Sequence, residues 1–510
     1  MPKLRTRAHS GMRRGLALSL LATLLMAGLG RAQAPNPAKI YIILWFDTED
    51  YILPESDNAA KRLAAFLTRQ HVNATFKIVG EKARVLERRG RRDVIGALAE
   101  QEIGYHSNLH SQHPTPAEYE SDLGWSEGVE EFTRRERAGF DDVVRILGQA
   151  PTCYGQPGSS WTPQAFGALK KWGVKVYLDE GEQVGLNGRP FWYGGLLNIF
   201  NTKEGARLRP NADWSNLPDA EANFQAIYER LSGRREGGII SLYFHPCEFV
   251  HREFWDAVNF SRGQNPPPEE WKTPAVKSPE ESEKAFKYFE DLVTYMKSFP
   301  RVEFITASQA FEIFRDTAQK RGYSSQELND IARQVDANVS FQVHDDYTLA
   351  ASEVFLLLNK FVSGVAGKSS SEPILLDGTP YGPSSTCAPL TKAAEISWSQ
   401  FSRTSLDVAD FLEKNDQVPG TVWMGSLPVP PESYLVALAR VTETLVGKGE
   451  APETVMIEPA KLAAAQYVAD DSPALWGWVI FPEGFRAANM MGLAKLQAWT
   501  LKPAALPRAR

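Results

Sequence analysis

Short apolar runs and amphipathic segments alternate over about 270 residues that start near residue 40. Seven runs rich in β-branched and aromatic residues predict buried strands, at residues 40–46, 73–79, 102–106, 150–155, 174–178, 238–244 and 301–305. Apolar positions between them recur at helical spacing and predict helices, at 58–70, 126–147, 163–172, 220–234 and 279–298. Parallel strands need such crossover helices, so the pattern predicts an α/β fold, either a barrel or a doubly wound sheet. Seven strands favour a distorted (β/α)7-type barrel over residues 38–318.

The pattern changes around residue 320, and residues 323–510 predict a smaller, helix-rich domain. Two or three domains are also what a chain of 510 residues leads us to expect. Three segments in this region each place a glutamate beside an aromatic residue that opens an apolar helix. They are residues 348–361 with Glu353 and Phe355, 428–441 with Glu432 and Tyr434, and 480–493 with Glu483 and Phe485. The segments form either a weak internal repeat or a coincidence among amphipathic helices.

The first 34 residues have a pattern of their own. A basic stretch precedes an apolar run at 16–29, which ends in the small-x-small sequence of residues 32–34. This order predicts a cleaved secretory signal peptide, and hence a periplasmic or extracellular protein. A membrane anchor is the alternative, although the apolar run is short for a span.

Charge and cysteine content narrow the classes of function. Without the six basic residues of segment 1–34, 50 lysines and arginines stand against 62 carboxylates, a net charge of −12 compared with −6 for the full chain. A nucleic-acid-binding protein shows the opposite balance, so this class is excluded. The three cysteines allow at most one internal disulfide, for which Cys153 and Cys247 are conceivable partners in an exported protein.

An acidic cluster follows the first predicted strand, where Asp47, Glu49 and Asp50 fall within four positions. Like charges at this spacing raise one another's pKa unless a cation is present. Residues i and i+2 of a strand point to the same side, so Asp47 and Glu49 share a face if the strand continues. The alternative is a solvated acidic turn in which Asp50 caps a helix.

Histidines follow two other predicted strands. His106 and His110 come after the third strand at a spacing that, on a helical turn, places both imidazoles on one face. His245 ends the apolar strand 238–244. Parallel strands bring their carboxyl ends to one edge, where the sites of α/β proteins lie. Two imidazoles and one carboxylate leave open positions on a divalent ion, which is typical of a catalytic metal site. His113, which precedes a proline, is predicted to be a surface histidine.

These residues, in this order, resemble the polysaccharide deacetylase family, whose catalytic region is the NodB-homology domain. The first family motif is usually Thr-Phe-Asp-Asp-Gly, and WFDTED at 45–50 stands in its place. The second, His-[Ser/Thr]-x-x-His, is matched by residues 106–110. The last, a strand that ends in a histidine, is matched by ISLYFHP at 240–246. The resemblance covers roughly residues 38–315 and implies a distorted (β/α) barrel.

The resemblance also implies roles for these residues. His106 and His110 bind one divalent metal, Zn²⁺ or alternatively Co²⁺ or Ni²⁺, together with a carboxylate of the first motif. Asp47 is the general base that activates water, and His245 protonates the departing sugar amine. We assign Glu49 as the carboxylate ligand because it shares the face of Asp47. Asp50 is the fallback, and an Asp-x-Glu first motif is similar to that of a divergent branch of the family.

The third family motif, Arg-x-Pro-x-Gly, departs further, because GQPGS at residues 155–159 lacks the arginine that orients the base. Pro157 and Gly158 of this segment, with the nearby Trp161, are predicted to bind substrate, since aromatic rings pack on sugar faces. Packing of the loop onto the barrel is the alternative for Trp161. Asp179, after the fifth strand, is a candidate contact of His245.

The sequence therefore predicts an exported, metal-dependent hydrolase that removes N-acetyl groups from a polysaccharide such as chitin, peptidoglycan or an exopolysaccharide. A catalytically impaired protein that binds glycans or the cell wall is the alternative, motivated by the missing arginine. The helix-rich region is similar, in its aromatics and short helices, to pseudomurein-binding repeats. That similarity implies a cell-wall polymer as a partner, whereas a purely structural cap is the other interpretation.

Overall fold

The computed structural model describes residues 39–506, except residues 180, 201–202 and 370–372. The predicted signal peptide at 1–34 lies outside the described residues. Within the part of the chain that the structure describes, no helix is long and apolar enough to cross a membrane.

The centre of the molecule is a curled, mostly parallel sheet, to which the described residues contribute ten strands. Nine of them are β1 (Ile40–Thr48), β2 (Thr75–Ile78), β3 (Glu102–Tyr105), β4 (Cys153–Tyr154), β5 (Val176–Asp179), β6 (Phe191–Tyr193), β7 (Leu196–Phe200), β8 (Gly238–Phe244) and β9 (Val302–Ile305). The tenth, Lys502–Pro503, pairs antiparallel with β6. The order is Lys502–Pro503, β6, β7, β5, β4, β3, β2, β1, β8, and β9 also pairs with β1. All seven predicted strands are present. The predicted α/β fold is confirmed, and its sheet curls into a half-barrel.

Helices cover the outer face of this sheet. In the barrel region they span Pro54–Arg69, Gly80–Arg88, Arg92–Ala99, Pro116–Glu120, Trp125–Leu147, Gln164–Lys171, Lys203–Ala206, Leu217–Ser232, Trp255–Phe260, Pro279–Lys297 and Ala307–Ile313. Short 3₁₀ turns lie at Pro246–Phe249, Ser261–Gly263 and Pro268–Glu270. The five helices that the sequence predicts are all present, with ends shifted by a few residues.

The alternation along β1 shows how the sequence builds two layers. Ile42 and Leu44 pack against the outer helices, whereas Ile43 and Trp45 face the inside of the curl. The period of two continues to the end of the strand, so Asp47 belongs to the inner face. On the neighbouring β2, Lys77 lies opposite Asp47 in register.

The helix-rich region contains two parts. Residues 318–457 contribute most of a separate core, built on the helices Ser325–Ala332, Ala351–Ala366, Trp398–Asn415 and Pro431–Lys448. Short strands accompany them at Gly322–Tyr323, Asn338–Val339, Gln342–Val343, Thr348–Leu349, Ile374–Leu375, Ala394–Ser397, Val422–Met424, Leu427–Val429, Thr454–Ile457 and Lys461–Leu462. From residue 463 the chain returns to the barrel, with 3₁₀ turns at Ala463–Tyr467, Pro473–Trp476 and Ala498–Thr500 and a helix at Ala488–Gln497.

The three repeat-like segments have different surroundings. Phe355 and Tyr434 lie in the first turns of two of the four helices of the separate core and contact each other, with ring centroids 5.5 Å apart. Phe485 instead lies in a turn ahead of Ala488–Gln497 and stacks on Phe481 beside the barrel. The prediction that this region binds a cell-wall polymer stays a prediction.

The disulfide between Cys153 and Cys247 is not formed, because all three cysteines are free. Cys153 faces the inside of the curled sheet with Ile43, whereas Cys247 packs in a different cluster with Trp255.

Candidate functional site

The carboxyl ends of β1, β3 and β8 meet at one edge of the curled sheet, as the sequence predicts. Asp47 and Glu49 are both buried there, with 5% and 3% of their surface exposed. Asp50 turns away: its Oδ2 lies 2.9 Å from Nε2 of His251, and its Oδ1 accepts a hydrogen bond from the backbone N–H of Ile52. The structure thus brings Asp47 and Glu49 to the site, and it places the fallback ligand Asp50 elsewhere.

His106 and His110 converge on Glu49. Their Nε2 atoms lie 3.4 Å and 2.8 Å from Oε2 of Glu49. The expected helical turn between them is wrong: residues 106–110 form an irregular loop in which Ser107 and His110 adopt φ values of +65° and +54°. These left-handed residues turn the chain back so that both imidazoles still face one point.

The second nitrogen of each imidazole has a neutral partner. Nδ1 of His106 donates to the carbonyl of Gly155 at 3.0 Å, which leaves its Nε2 unprotonated. Nδ1 of His110 lies 2.6 Å from the hydroxyl of Ser111. Trp255 donates from its indole to the other oxygen of Glu49 at 3.0 Å. Outer hydrogen bonds of this kind fix the ring orientation of metal-binding histidines.

These three side chains fit a divalent metal ion. Their ligand atoms all lie within 4.8 Å of one another. The buried Nε2 of His110 faces Oε2 of Glu49 at 2.8 Å without a hydrogen bond of good geometry, and a bound metal ion would satisfy this nitrogen. Two nitrogens and one carboxylate oxygen are a common ligand set for Zn²⁺ and leave positions open for substrate. Burial raises the pKa of Glu49, but His110, His245 and His106 together outweigh burial and hold that pKa well below its usual value.

His245 lies on the other side of Asp47, with its Nε2 3.7 Å from Oδ2 of that residue. Its Nδ1 bonds at 2.7 Å to Glu248, which also pairs with Arg209 at 2.5 Å. Burial lowers the pKa of His245, but the carboxylates of Glu248, Glu49 and Asp47 together outweigh burial and raise that pKa to about 9. Burial raises the pKa of Glu248, whereas Arg209 and His245 together lower it to about 2. His245 is therefore held in the protonated form.

Lys77 is a site residue that the sequence reasoning missed. Its buried Nζ lies 2.8 Å from Oδ1 of Asp47 and 2.5 Å from Oδ2 of Asp179. A Cβ on Gly155 would lie 1.9 Å from this Nζ. Gly155 stands where the third family motif has its arginine, so the ammonium of Lys77 occupies the space that a side chain would need. A lysine inside the apolar run 73–79 is the signal that could have identified it.

The contact that we predicted for Asp179 is wrong, since its carboxylate faces Lys77 on the inside of the sheet and not His245. Asp47, His106 and Asp179 form a second group of potential metal ligands. Because Lys77 already pairs with both of its carboxylates, this group does not need a second cation.

A cavity of about 280 Å³ opens above these residues. Its walls include Gly158, Tyr243, Phe254 and Trp478. Of the three predicted substrate contacts, Gly158 lines the cavity, whereas Pro157 is buried beside it. Trp161 is fully buried between Phe166 and Tyr193, so its predicted contact with substrate is wrong and the packing alternative holds.

His113 is also not the surface histidine that we predicted. Only 10% of its side chain is exposed, and Nδ1 lies 2.8 Å from Glu118. Its Nε2 lies 3.2 Å from the carbonyl oxygen of Phe260. It therefore ties the loop after β3 to the helix Trp255–Phe260, outside the cavity.

Comparisons with known proteins add little to this geometry. No family model and no curated protein matches the chain. Among solved structures, a "probable polysaccharide deacetylase" from Pseudomonas aeruginosa PAO1 is 14% identical, with 55% of this chain and 94% of that chain covered and a TM-score of 0.36. A family 4 acetyl xylan esterase from Clostridium thermocellum in complex with a cobalt ion is 16% identical, with 54% and 91% covered and a TM-score of 0.27. A 4-alpha-glucanotransferase from Thermococcus litoralis is 10% identical, with 79% and 55% covered and a TM-score of 0.40. Values this low leave the case for function to the site itself.

Proposed function

We propose that the protein is an exported, metal-dependent hydrolase that removes N-acetyl groups from a polysaccharide. One observation carries the proposal: a carboxylate and two imidazoles converge on one point, with a second carboxylate and a protonated histidine beside them. Asp47 lies 3.5 Å from Nε2 of His106 on one side and 3.7 Å from Nε2 of His245 on the other. Hydrolysis of an amide needs this combination of a base and an acid next to an electrophilic centre.

Glu49, His106 and His110 are the residues that would hold the ion, which we propose to be Zn²⁺, with Co²⁺ or Ni²⁺ as substitutes. When bound, such an ion polarises a carbonyl and lowers the pKa of water. Asp47 accepts a proton from the water that attacks the acyl carbon. His245 then donates its proton to the amine nitrogen as the C–N bond breaks, so that acetate and the free amine leave.

The protein holds the two proton-transfer groups in the states that these roles require. Burial raises the pKa of Asp47, but the neighbouring His106, Lys77 and His245 together outweigh burial and keep that pKa below its usual value. Asp47 is thus an ionised carboxylate. His245 stays protonated because Glu248 stabilises its charge.

The substrate class rests on the sequence resemblance and on the walls of the cavity. The three motifs at residues 45–50, 106–110 and 240–246 follow the order of the polysaccharide deacetylase family. Tyr243, Phe254 and Trp478 supply apolar surfaces suited to the faces of a sugar ring. Export follows from the signal-peptide pattern of residues 1–34.

A matched pair of histidine variants tests the proposal. His110→Ala removes a ligand, so bound metal should fall from about one equivalent to nearly none. His245→Ala should keep the metal and lose turnover by about 10²-fold or more, because only the proton donor is removed. The measurements are metal content of the purified protein and acetate release from chitin oligomers and peptidoglycan.

Two results would contradict the proposal in different ways. A wild-type protein that binds no metal would show that the assigned ligands are wrong. Bound metal without acetate release from any N-acetylated polymer would instead identify a glycan-binding protein.

A further inference from the structure

The segment 475–481, here called the wall segment, reaches the cavity from beyond the region that the sequence motifs cover. Trp478 of this segment meets the ring of His110 edge-on, with centroids 5.3 Å apart at an interplanar angle of 85°. Its indole N–H donates to Oδ2 of Asp256 at 2.9 Å. Trp478 therefore spans one side of the cavity, from a proposed metal ligand to the helix that follows β8.

The barrel holds the wall segment on two sides. Its backbone N–H at Trp478 donates to the hydroxyl of Ser159 after β4, at 3.3 Å. Its carbonyls at Val479 and Ile480 accept hydrogen bonds from the backbone N–H groups of Arg262 and Gly263, at 3.0 Å and 2.7 Å. Ile480 is fully buried in a cluster with barrel residues. The position of the indole is thus fixed by the barrel itself.

Gly158 leaves room for the indole. A Cβ at this position would lie 2.2 Å from an atom of the Trp478 ring, and the residue has a φ of +49°. A side chain here would therefore push the indole out of the wall and also strain the backbone. The segment 155–159 and the wall segment are therefore in close contact at Gly158 and Trp478.

We infer that Trp478 is a specificity-determining residue, which packs on the sugar that carries the acyl group and limits the cavity to a single N-acetylated sugar unit. This inference rests on the proposed function and names the substrate more narrowly. With Trp478 in place the cavity measures about 280 Å³, just below the range of about 300–1,000 Å³ that small-molecule sites occupy. Such a space suits a chain end or a short oligosaccharide better than an internal unit of a long polymer.

The test compares a short and a long substrate, di-N-acetylchitobiose and soluble glycol chitin, in the metal-loaded full chain. In Trp478→Ala we expect KM for the disaccharide to rise about tenfold, since one buried aromatic contact is lost. Activity on the polymer should change less, so the ratio of polymer to disaccharide activity rises. Trp478→Phe keeps a ring and should lie between wild type and alanine. Trp423→Ala is the control, because this exposed tryptophan lies on the hairpin of Val422–Met424 and Leu427–Val429.

Calorimetric titration with di-N-acetylchitobiose separates this inference from the proposed function. If the wild type binds the disaccharide but releases acetate from neither the disaccharide nor glycol chitin, the proposed function fails, and the inference stands only if Trp478→Ala weakens binding about tenfold. Equal affinity and an equal substrate ratio in wild type and Trp478→Ala would overturn the inference. A wild-type protein that neither binds nor hydrolyses the disaccharide would overturn it as well.

Discussion

Two ends of the same cavity use histidine in opposite ways. At the end of β3, His106 bonds through Nδ1 to a neutral carbonyl, and burial lowers its pKa. At the end of β8, His245 bonds through Nδ1 to a carboxylate, which raises its pKa to about 9. The imidazole is the same in both places. The partner of its second nitrogen determines whether it offers a lone pair or a proton.

The carboxyl groups that hydrogen-bond to the residues at these two ends of the cavity also differ, because one has a raised pKa and the other a lowered pKa. Glu136 supports the loop after β3, where it accepts hydrogen bonds from the backbone N–H of Asn108 at 2.7 Å and from the hydroxyl of Tyr105 at 2.9 Å. Burial raises its pKa to about 7. Glu248 supports His245 and, beside Arg209, has a pKa of about 2. At neutral pH a partly protonated carboxyl group supports the loop of the proposed ligands, whereas an ionised one supports the proposed acid.

The largest effect is expected from replacing Lys77, whose ammonium group lies between the two ends of the cavity. Lys77→Ala leaves two buried carboxylates, Asp47 and Asp179, without their shared partner. We expect a loss of about 3–5 kcal/mol in the free energy of unfolding, measured by denaturant titration. The double variant Lys77→Ala/Gly155→Arg should recover part of the stability and activity, because it returns a cation from the position of the family's arginine. Wild-type stability in Lys77→Ala alone would show that the ion pairs are not needed.

A smaller effect is expected from replacing Glu248, the hydrogen-bond partner of the proposed acid His245. Glu248→Gln removes the charge that raises the pKa of His245, so that pKa should fall from about 9. The protonated histidine is the active form, so activity is lost as pH rises through this pKa. The falling limb of the profile of kcat/KM against pH should therefore move to lower pH, with activity at pH 8 reduced about 10–100-fold. An unmoved limb, with metal content unchanged, would mean that Glu248 does not set the protonation of His245.

The smallest effect is expected from replacing Glu136, which accepts a hydrogen bond from the loop that carries the proposed ligands His106 and His110. Because the pKa of Glu136 is raised from 4.5 to about 7 in the folded protein, the folded state binds more protons than the unfolded state between these values. Its contribution to stability is complete below about pH 4.5 and is lost as pH rises through about 7. Glu136→Gln, which stays neutral, should remove this dependence on pH, while stability near pH 4.5 changes by about 1 kcal/mol or less. Thermal unfolding at several pH values measures it, and an identical slope in both proteins would contradict the assignment.

The sequence predicts those parts of the fold that depend on local pattern. The strand 238–244 has the bounds that its apolar run indicates, and β1 carries Asp47 to the inner face by its period of two. The helical turn at 106–110 is wrong because spacing alone does not reveal that Ser107 and His110 take left-handed conformations. Only a few per cent of non-glycine residues adopt a positive φ, so two of them within four positions are not expected from the sequence.

The site residues that were missed are those whose partners lie far away in the chain. Lys77 is placed by Asp179, about a hundred positions later, and by the empty space at Gly155. Trp478 reaches His110 across more than 360 positions. Trp161 was assigned to substrate because its neighbours in sequence suggested a loop, whereas tertiary packing buries it. Motif order therefore predicts which side chains meet at the site, whereas the walls of the cavity depend on contacts between residues far apart in the sequence.

The pairing of Lys502–Pro503 with β6 has a consequence for biosynthesis. A ribosome makes β6 about three hundred residues before the strand that covers its edge, and an uncovered edge invites pairing with other chains. The edge of β6 therefore stays unpaired until the helix-rich region and the strand Lys502–Pro503 have been synthesised. We therefore expect a chain that stops near residue 318 to aggregate more readily than the full chain, because this strand edge stays uncovered.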